Sequence, residues 1–469
     1  MVASMFALLR CSRGSVLPIV GMSLVALVGL SGMAVDMGRV QMVQSKLSSS
    51  LDAAGLAAGA TVNTATVSTE VTKYFNANYP AGYLGSTVTA VNSTVSSDNM
   101  TISLSATATV PTTFMRVVGI TTVTVTANSQ ITRSSKGMEL VLVLDNTGSM
   151  NNPVNSSNSS VSKISALKTA AATLVNNFYG SNTTVPNLWI GIVPFTQAVN
   201  IGTSYTGWMD TTYDATINWT PTSWMGCVMA RSAPYDTSDD PPSVKLFQQY
   251  FFPSSSPYNV WKTTTTSHGH TTTTYASPLD STHQGPNLYC PQQVTPMTAT
   301  KSTILNNINA MIAGGDTDID LGMVWGWRMI SPRWRGLWGG EMNTNSLPLD
   351  YNTPKMNKVV ILMTDGVNHY TPGNYTAYGF LSDGQLGTTN ESTAENTLNS
   401  RTLALCTAMK QQGIIIYTIG FGSSSDVDTT LLQSCATQNS YFFLSPTNAD
   451  LDNAFKAIGD SLANLRVSQ

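Results

Sequence analysis

Residues 139–150 read ELVLVLDNTGSM, a short apolar run that ends in an acid, two hydroxyl residues and a glycine. An apolar run without alternation is typical of a strand buried on both faces, as in a parallel sheet. Asp145, Thr147 and Ser149 then follow at the carboxyl end of that strand, the edge where open α/β sheets bind ligands. Their hard oxygen atoms predict a site for Mg²⁺, or for Ca²⁺ or Mn²⁺.

Two later loops offer the same kind of oxygen ligand. Thr317 precedes a predicted helix, and Asp365 directly follows a second apolar run over residues 358–364. Strand-like runs alternate with helical patterns through most of residues 135–469, which is typical of βαβ units. We therefore predict a doubly wound, mostly parallel, Rossmann-like α/β sheet for this region, with the three loops at one rim.

An irregular segment interrupts that alternation. Residues 200–300 are rich in Pro, Thr, Tyr and Trp, and the segment is far longer than an ordinary connection. We interpret it as a large insertion near the candidate site. Together with the loop at 367–392, it would determine binding specificity.

The five cysteines are distributed unequally along the chain. Cys11 lies before a long apolar segment, and the other four follow it. None forms a C-x-x-C pair, which argues against a zinc or thioredoxin-like site. In an oxidising compartment the four allow three disulfide pairings, with buried free thiols as the alternative. We favour the nearest-neighbour pairs, Cys227–Cys290 and Cys406–Cys435.

Residues 16–35 form a run of 20 residues without a charge. As a helix they would span about 30 Å, the thickness of a bilayer core. Arg10 and Arg13 precede the run, so we predict a single-pass anchor with residues 1–15 cytoplasmic and the rest exported. A signal peptide cleaved near Ala34 is the alternative, although the apolar region of signal peptides normally has only about 7–15 residues.

The composition narrows the classes of partner. Only 10% of the 469 residues are charged, the net charge is −3, and no run is rich in Lys or Arg. Nucleic acid binding needs clustered basic residues, so no nucleic-acid partner is expected. Hydrophobic residues make up 42% of the chain, which is enough for the cores of two or three domains.

The region between the apolar run and the first buried strand shows two patterns. Over residues 36–62, apolar residues recur at spacings of three and four, which predicts a helical extension of the anchor. Residues 63–134 alternate apolar residues with Thr and Ser. This alternation predicts a small antiparallel β domain that serves as a spacer or oligomerisation unit.

The N-terminal region resembles the membrane module of TadE/TadG-like proteins of Flp (tight adherence) pilus systems. The resemblance is carried by Gly14, by AVDMGR at 34–39 and by LDAAGLAA at 51–58. It implies an anchor in the bacterial inner membrane and a periplasmic C-terminal region. Small pilins of such systems have a glutamate near the start of the apolar segment. Residues 15–35 contain none, so prepilin processing is not expected.

The three polar loops resemble the metal-ion-dependent adhesion site (MIDAS) of von Willebrand factor A domains, whose first motif is D-x-S-x-S. That motif falls on Asp145, Thr147 and Ser149, the family's single threonine on Thr317 and its third-motif aspartate on Asp365. Thr147 stands where Ser is usual but keeps the hydroxyl. The resemblance covers most of the C-terminal region. It implies that an acidic residue of a protein partner completes the ligands of the metal.

These resemblances imply binding rather than catalysis. WMGC at 224–227 and GMVWGWRMISP at 322–332 resemble TadG-like A domains in particular. We expect a non-enzymatic, metal-dependent assembly component of a Flp/Tad pilus or adhesion system, with pilus or secretion components as partners. A secreted or surface adhesin is the alternative. A metal-dependent hydrolase is a third hypothesis, but no His accompanies the three motifs as general base.

Overall fold

Contacts between residues divide the chain into two units, residues 1–134 and 135–468. The computed structural model of the protein describes residues 16–59, 67–96, 101–132, 137–155 and 158–467. The predicted cytoplasmic segment, residues 1–15 with Cys11, lies outside the described residues.

The N-terminal unit combines two helices with one antiparallel sheet. Its elements are α1 (Val16–Gly59), α2 (Val67–Asn78), β1 (Thr87–Val95), β2 (Thr101–Pro111) and β3 (Thr122–Thr132). The strands have the order β1-β2-β3, and both pairs are antiparallel. Alternate residues of β2 are buried, because its apolar face packs against α1 while Ser and Thr occupy the other face.

Helix α1 changes character along its length. Residues 18–31 are all exposed, whereas one face of the helix is buried from Gly32 onward. Spacings of three and four place the buried residues on that face, and they include Gly32, Asp36, Val40, Val43, Leu47, Leu51, Ala54 and Ala58. Within the described residues, α1 is the one helix long and apolar enough to cross a membrane, a test that a signal sequence also passes.

The C-terminal unit is built around a six-stranded sheet. The strands of this unit, in chain order, are β4 (Gly137–Asp145), β5 (Pro153–Asn155), β6 (Asn158–Ser162), β7 (Leu188–Phe195), β8 (Val199–Asn200), β9 (Cys227–Val228), β10 (Lys262–Ser267), β11 (His270–Tyr275), β12 (Thr295–Thr298), β13 (Met356–Thr364), β14 (Tyr375–Thr376), β15 (Gly379–Phe380), β16 (Ile415–Gly420) and β17 (Phe442–Leu444). The large sheet has the order β12-β7-β4-β13-β16-β17. Four of its neighbouring pairs are parallel, and the edge strand β12 runs antiparallel to β7.

Helices cover both faces of this sheet. In chain order they are α3 (Lys163–Tyr179), α4 (Thr211–Asp214), α5 (Lys301–Ala310), α6 (Ile319–Ile330), α7 (Gly340–Thr344), α8 (Glu391–Gln411), α9 (Thr429–Cys435) and α10 (Asn448–Val467). Successive residues of a strand point to opposite faces. Leu142 therefore packs in one apolar core with α3 and α10, and Val143 packs in the other with α6.

The predicted fold class is wrong for this chain: a doubly wound, mostly parallel sheet of the von Willebrand factor A type does not describe it. Among the described strands, parallel pairing is confined to part of one sheet, and the five other sheets are small and antiparallel. The chain is a mixed α and β protein. Continuous apolar runs reveal only strands buried on both faces. The Thr-rich strands β10 and β11 are almost fully exposed, so they carry no such pattern.

Two disulfides cross-link the C-terminal unit. Cys227 pairs with Cys290 across the predicted insertion, and Cys406 of α8 pairs with Cys435 of α9. These are the two nearest-neighbour pairs favoured above.

Buried aromatic side chains attach the segment at 200–300 to α6 and the turn that follows it. The Trp208 and Trp334 rings make a T-shaped contact, and the Phe247 ring packs against that of Trp325. All four rings are buried, so these tryptophans form core rather than an exposed binding surface.

Candidate metal centre

Two neighbouring parallel strands end at the candidate centre. Leu144 of β4 pairs with Met363 of β13, so the residues that follow lie side by side. Asp145 is buried, and its Oδ1 accepts the N–H of Thr147 at 2.8 Å. Its Oδ2 accepts the hydroxyl of Thr364 at 2.6 Å. Both carboxylate oxygens are therefore held in place by the protein itself.

A line of hydroxyl groups connects the first loop to Asp365. Thr147 Oγ1 lies 3.1 Å from Ser149 Oγ, and the Ser149 hydroxyl donates to Asp365 Oδ1 at 2.5 Å. Asp365 directly follows β13 and is buried. The structure thus brings Asp145, Thr147, Ser149 and Asp365 into one hydrogen-bonded group.

The loop that contains Thr317 lies at the same rim of the sheet, because its main chain bonds to the loops after β4 and β13. The N–H of Gly148 donates to Gly315 O at 2.9 Å, and the N–H of His369 donates to Thr317 O at 2.9 Å. The Thr317 hydroxyl forms no hydrogen bond within the described part of the chain. Gly315 has a φ of 83°, and a Cβ there would come within 2.7 Å of Gln197 Oε1. Glycine is therefore required for this close approach.

The centre holds two buried carboxylates and one lysine. Burial, and after it the charge of Asp365, raises the pKa of Asp145 from 3.8 to about 7, although hydrogen bonds from Thr364 and Thr147 act in the opposite direction. Lys163, the first residue of α3, places Nζ 2.9 Å from Asp365 Oδ2. The lysine pairs with Asp365, and within the described segments Asp145 has no positive partner.

The donor set fits a hard divalent cation. Carboxylate and hydroxyl oxygens converge on the centre, and such oxygens suit Mg²⁺, Ca²⁺ or Mn²⁺. In the same loop, Asn146 Oδ1 is buried and has no hydrogen-bond partner among the described residues. A cation near this loop would meet acids and an unsatisfied acceptor rather than competing positive groups, with the exception of Lys163.

Sequence reasoning missed a histidine beside Thr317. His369 Nδ1 lies 2.8 Å from Glu395 Oε1, and a ligand atom of Glu391 lies within 4.8 Å of both. Glu391 and Glu395 share one face of α8 because they are four residues apart. Exposed acidic groups often gather without an ion, so we interpret this cluster as a hydrogen-bonded contact that holds the loop after Asp365. The sequence could have indicated His369 by its position, four residues after Asp365.

A cleft separates the segment at 200–300 from the Thr317 loop. It has a volume of about 320 Å³, and Met225, Tyr289 and Cys290 line it on one side and Gly314 on the other. No charged side chain lines it. The insertion therefore borders the rim on which the candidate centre lies.

Comparison with solved structures finds distant likenesses. The vWF domain of the type V pili tip protein Mfa5 from Porphyromonas gingivalis is 12% identical, with 71% of this chain and 97% of that chain covered and a TM-score of 0.35. The PilB minor pilin from Streptococcus sanguinis is 12% identical, with 83% and 81% covered and a TM-score of 0.37. Proximal thread matrix protein 1 from the mussel byssus is 13% identical, with a TM-score of 0.31. The match covers 71% of this chain and about half, 47%, of the mussel protein. TM-scores this low carry no argument about fold or function.

The family comparison concerns the N-terminal helix. No curated protein sequence matches the chain significantly. The model of the Tad family, described as Flp pilus-assembly TadE/G-like, matches residues 14–61. These residues include the charge-free run and all of α1. The N-terminal helix is therefore similar to a TadE/G-like pilus-assembly module, and the rest of the chain lies outside the match.

Proposed function

We propose that the protein is a non-enzymatic binding and assembly component of a Flp-type pilus or adhesion system. The family match of residues 14–61 supports this system. The exposed apolar half of α1 supports a single-pass anchor in the bacterial inner membrane. Two disulfides support an oxidising compartment, the periplasm, for the C-terminal unit.

We further propose that this unit binds a divalent cation, Mg²⁺ first and Ca²⁺ or Mn²⁺ as alternatives. The hydrogen bond from Ser149 to Asp365, beside Asp145, carries the proposal because it gathers acids and hydroxyls from separate turns. Thr147 and Thr317 would add two further hydroxyl oxygens. The bound ion would supply the positive charge that attracts an acidic side chain of the protein partner, such as a pilus or secretion component.

The neutral cleft beside the rim supports a role for the insertion in partner choice. Its lining offers hydroxyls, amides and one aromatic ring rather than charges. The partner's acid would therefore interact with the ion, and neutral surfaces around that acid would contact the cleft. In this arrangement the ion would attract acidic partners, and the fit of neutral surfaces in the cleft would discriminate among them.

Calorimetric titration of the full chain with Mg²⁺ tests the proposal. We expect saturable binding by the wild type and none by Asp145→Ala, because this carboxylate is central to the hydrogen-bonded group. Asp350→Ala is the matched control, since Asp350 is an exposed acid outside the centre, paired with Arg335. Absence of uptake by the wild type, or equal uptake by Asp145→Ala, would refute the metal site.

A secreted or surface adhesin is the second candidate function. Within residues 18–34, Gly32 alone is buried, so cleavage near Ala34 as a signal peptide would remove almost none of the core. The intact mass of the mature chain decides between the two. A mass that includes residues 16–35 supports the anchor, and the loss of all residues up to about Ala34 supports the adhesin.

The non-enzymatic role can be tested separately. The His369 ring pairs with Glu395, whereas the Ser149 hydroxyl donates to an acid. Among the described residues, the serine's possible base is this carboxylate of Asp365, which already pairs with Lys163. We expect no turnover in screens with esters, phosphate esters and peptides. Metal-dependent turnover that Asp145→Ala abolishes would overturn this assignment.

A further inference from the structure

The loop between β2 and β3, residues 112–121, presents apolar side chains to the outside. Val117 is 89% exposed, Val118 64%, Phe114 44% and Ile120 42%. On the neighbouring strands the exposed positions are mainly Thr, with a few Asn and Gln. An apolar patch of this kind on an otherwise polar domain indicates an interaction surface.

Side chains of helix α1 bind this loop, mostly through the main-chain N–H groups of the loop. Asp36 Oδ2 accepts the N–H groups of Phe114 at 2.7 Å and Met115 at 2.8 Å, and Oδ1 accepts that of Thr113 at 3.0 Å. Arg39 Nη1 donates to Thr113 Oγ1 at 3.1 Å. Four hydrogen bonds to Asp36 and Arg39, which lie three residues apart on α1, therefore fix the position of the loop along the helix.

A ring contact places the loop at the end of the charge-free run. The Phe114 ring lies against Gly32, where an added Cβ would approach it to 2.6 Å. Gly32 is the first buried residue of α1 within residues 18–59. The loop therefore packs beside the last helical turn of the apolar segment at 16–35.

The depth of this contact matches a membrane interface. From Gly32 to the end of the run at Val35 the helix rises by only about 4.5 Å. Amphipathic segments that bind membrane surfaces bury their apolar faces by about 5–10 Å. The loop contains no acid, and its one charged side chain, Arg116, is exposed. An arginine at this position suits the phosphate groups of lipids.

We propose that residues 114–120 insert into the bilayer that α1 crosses and form a second membrane contact of the N-terminal unit. The proposal rests on the anchoring role of α1 proposed above. With a helix and a loop both in the lipid, the unit cannot rotate freely about its anchor. The N-terminal sheet is then held at a fixed tilt to the membrane.

Nitroxide accessibility in lipid vesicles tests this contact. The full chain carries Cys11→Ser and Val118→Cys, is spin-labelled, and is reconstituted into vesicles of phosphatidylethanolamine and phosphatidylglycerol. We expect the label to be accessible to oxygen, which concentrates in lipid, and protected from a water-soluble nickel chelate. Thr94→Cys is the matched control. It is an exposed site near the other end of the sheet, and its label should show the reverse preference.

Two further variants separate the possible failures. Leu24→Cys reports on the exposed apolar part of α1. A lipid signal at residue 24 with a water signal at residue 118 would overturn the loop insertion alone. Water signals at both would overturn the anchor as well. A label at 118 protected from both reagents would mean that protein covers the loop, and this too would overturn the proposal. Asp36→Ala should release the loop and shift the label at 118 toward water.

Discussion

Asp36 and Asp145 are both buried carboxylates, but their surroundings differ. Asp36 accepts three main-chain N–H groups and lies near Arg39. Asp145 accepts one N–H and one hydroxyl, and Asp365 adds a like charge beside it. The first acid is fully compensated and acts as a clamp. The second has no positive partner among the described residues, and the proposed cation would supply that charge.

Removing the charge from each acid should give effects of opposite sign. In metal-free protein, Asp145→Asn should stabilise the C-terminal unit by about 2 kcal/mol, because it removes a buried charge next to Asp365. The new amide can donate to the Thr364 hydroxyl, which also lies 3.3 Å from Gly366 O. Urea unfolding followed by Trp fluorescence measures this unit selectively, because all nine tryptophans lie in it.

The corresponding change at Asp36 should weaken the N-terminal unit. Asp36→Asn removes one of the two acceptor oxygens and leaves amides of the 113–115 turn without a strong partner. Hydrogen exchange at these amides should accelerate in the variant, and exchange in β4 should stay unchanged. Destabilisation of the metal-free protein by Asp145→Asn would contradict the unfavourable environment of Asp145. Unchanged exchange at 113–115 in Asp36→Asn would contradict the role of Asp36 as a clamp.

The pH dependence of the metal-free protein should follow Asp145. Its folded pKa of about 7 exceeds the ordinary 3.8, so between these values the folded state holds a proton that the unfolded state has lost. Stability should therefore fall as pH rises through this window, by about 1 kcal/mol per unit, and level off above it. Subtracting the curve of Asp145→Asn isolates this acid from the others. A flat difference curve would contradict the environment described for it.

Lys163 provides a smaller test of charge balance. It neutralises Asp365 in the metal-free centre, so Lys163→Met should tighten Mg²⁺ binding about fivefold, roughly 1 kcal/mol. Lys168→Met on the same helix is the control and should leave the affinity unchanged. Weaker binding in Lys163→Met, measured by calorimetry, would mean that the lysine supports the ion rather than competing with it.

The smallest effect is expected where Thr147 is replaced by another hydroxyl residue. Thr147→Ser keeps the hydroxyl, so Mg²⁺ affinity should change by less than about threefold, or 0.6 kcal/mol. Thr147→Val keeps the shape and removes the oxygen, and binding should weaken about tenfold. Equal affinities for Ser and Val in calorimetry would exclude this hydroxyl as a ligand.

Parts of the structure followed directly from residue patterns. Strands β4 and β13 appear as apolar runs because both of their faces are buried. The buried face of α1 appears as spacings of three and four. The fold class failed where strands lack such a signal. The pair β10 and β11 consists largely of exposed threonines, and β14 and β15 have only two residues each.

Contacts between residues far apart in sequence explain what else was missed. The three amides that bind Asp36 follow it by 77 to 79 residues, and main-chain donors leave no mark on residue type. Lys163 lies 202 residues before its partner Asp365. The oxygen-bearing side chains of the candidate centre were accessible to prediction because each follows a recognisable strand or loop. Lys163, which balances the charge of Asp365 at the same centre, was not.

The ion pair between Lys163 and Asp365 also has a consequence for the order of folding and ion binding under the proposed function. With one acid neutralised internally, the rim can close before any ion is available. An exported chain of this kind would not need to carry an ion across the membrane. It would fold first and bind the ion later, once divalent ions outside the cytoplasm are abundant enough to displace the ammonium group, which stays tethered nearby.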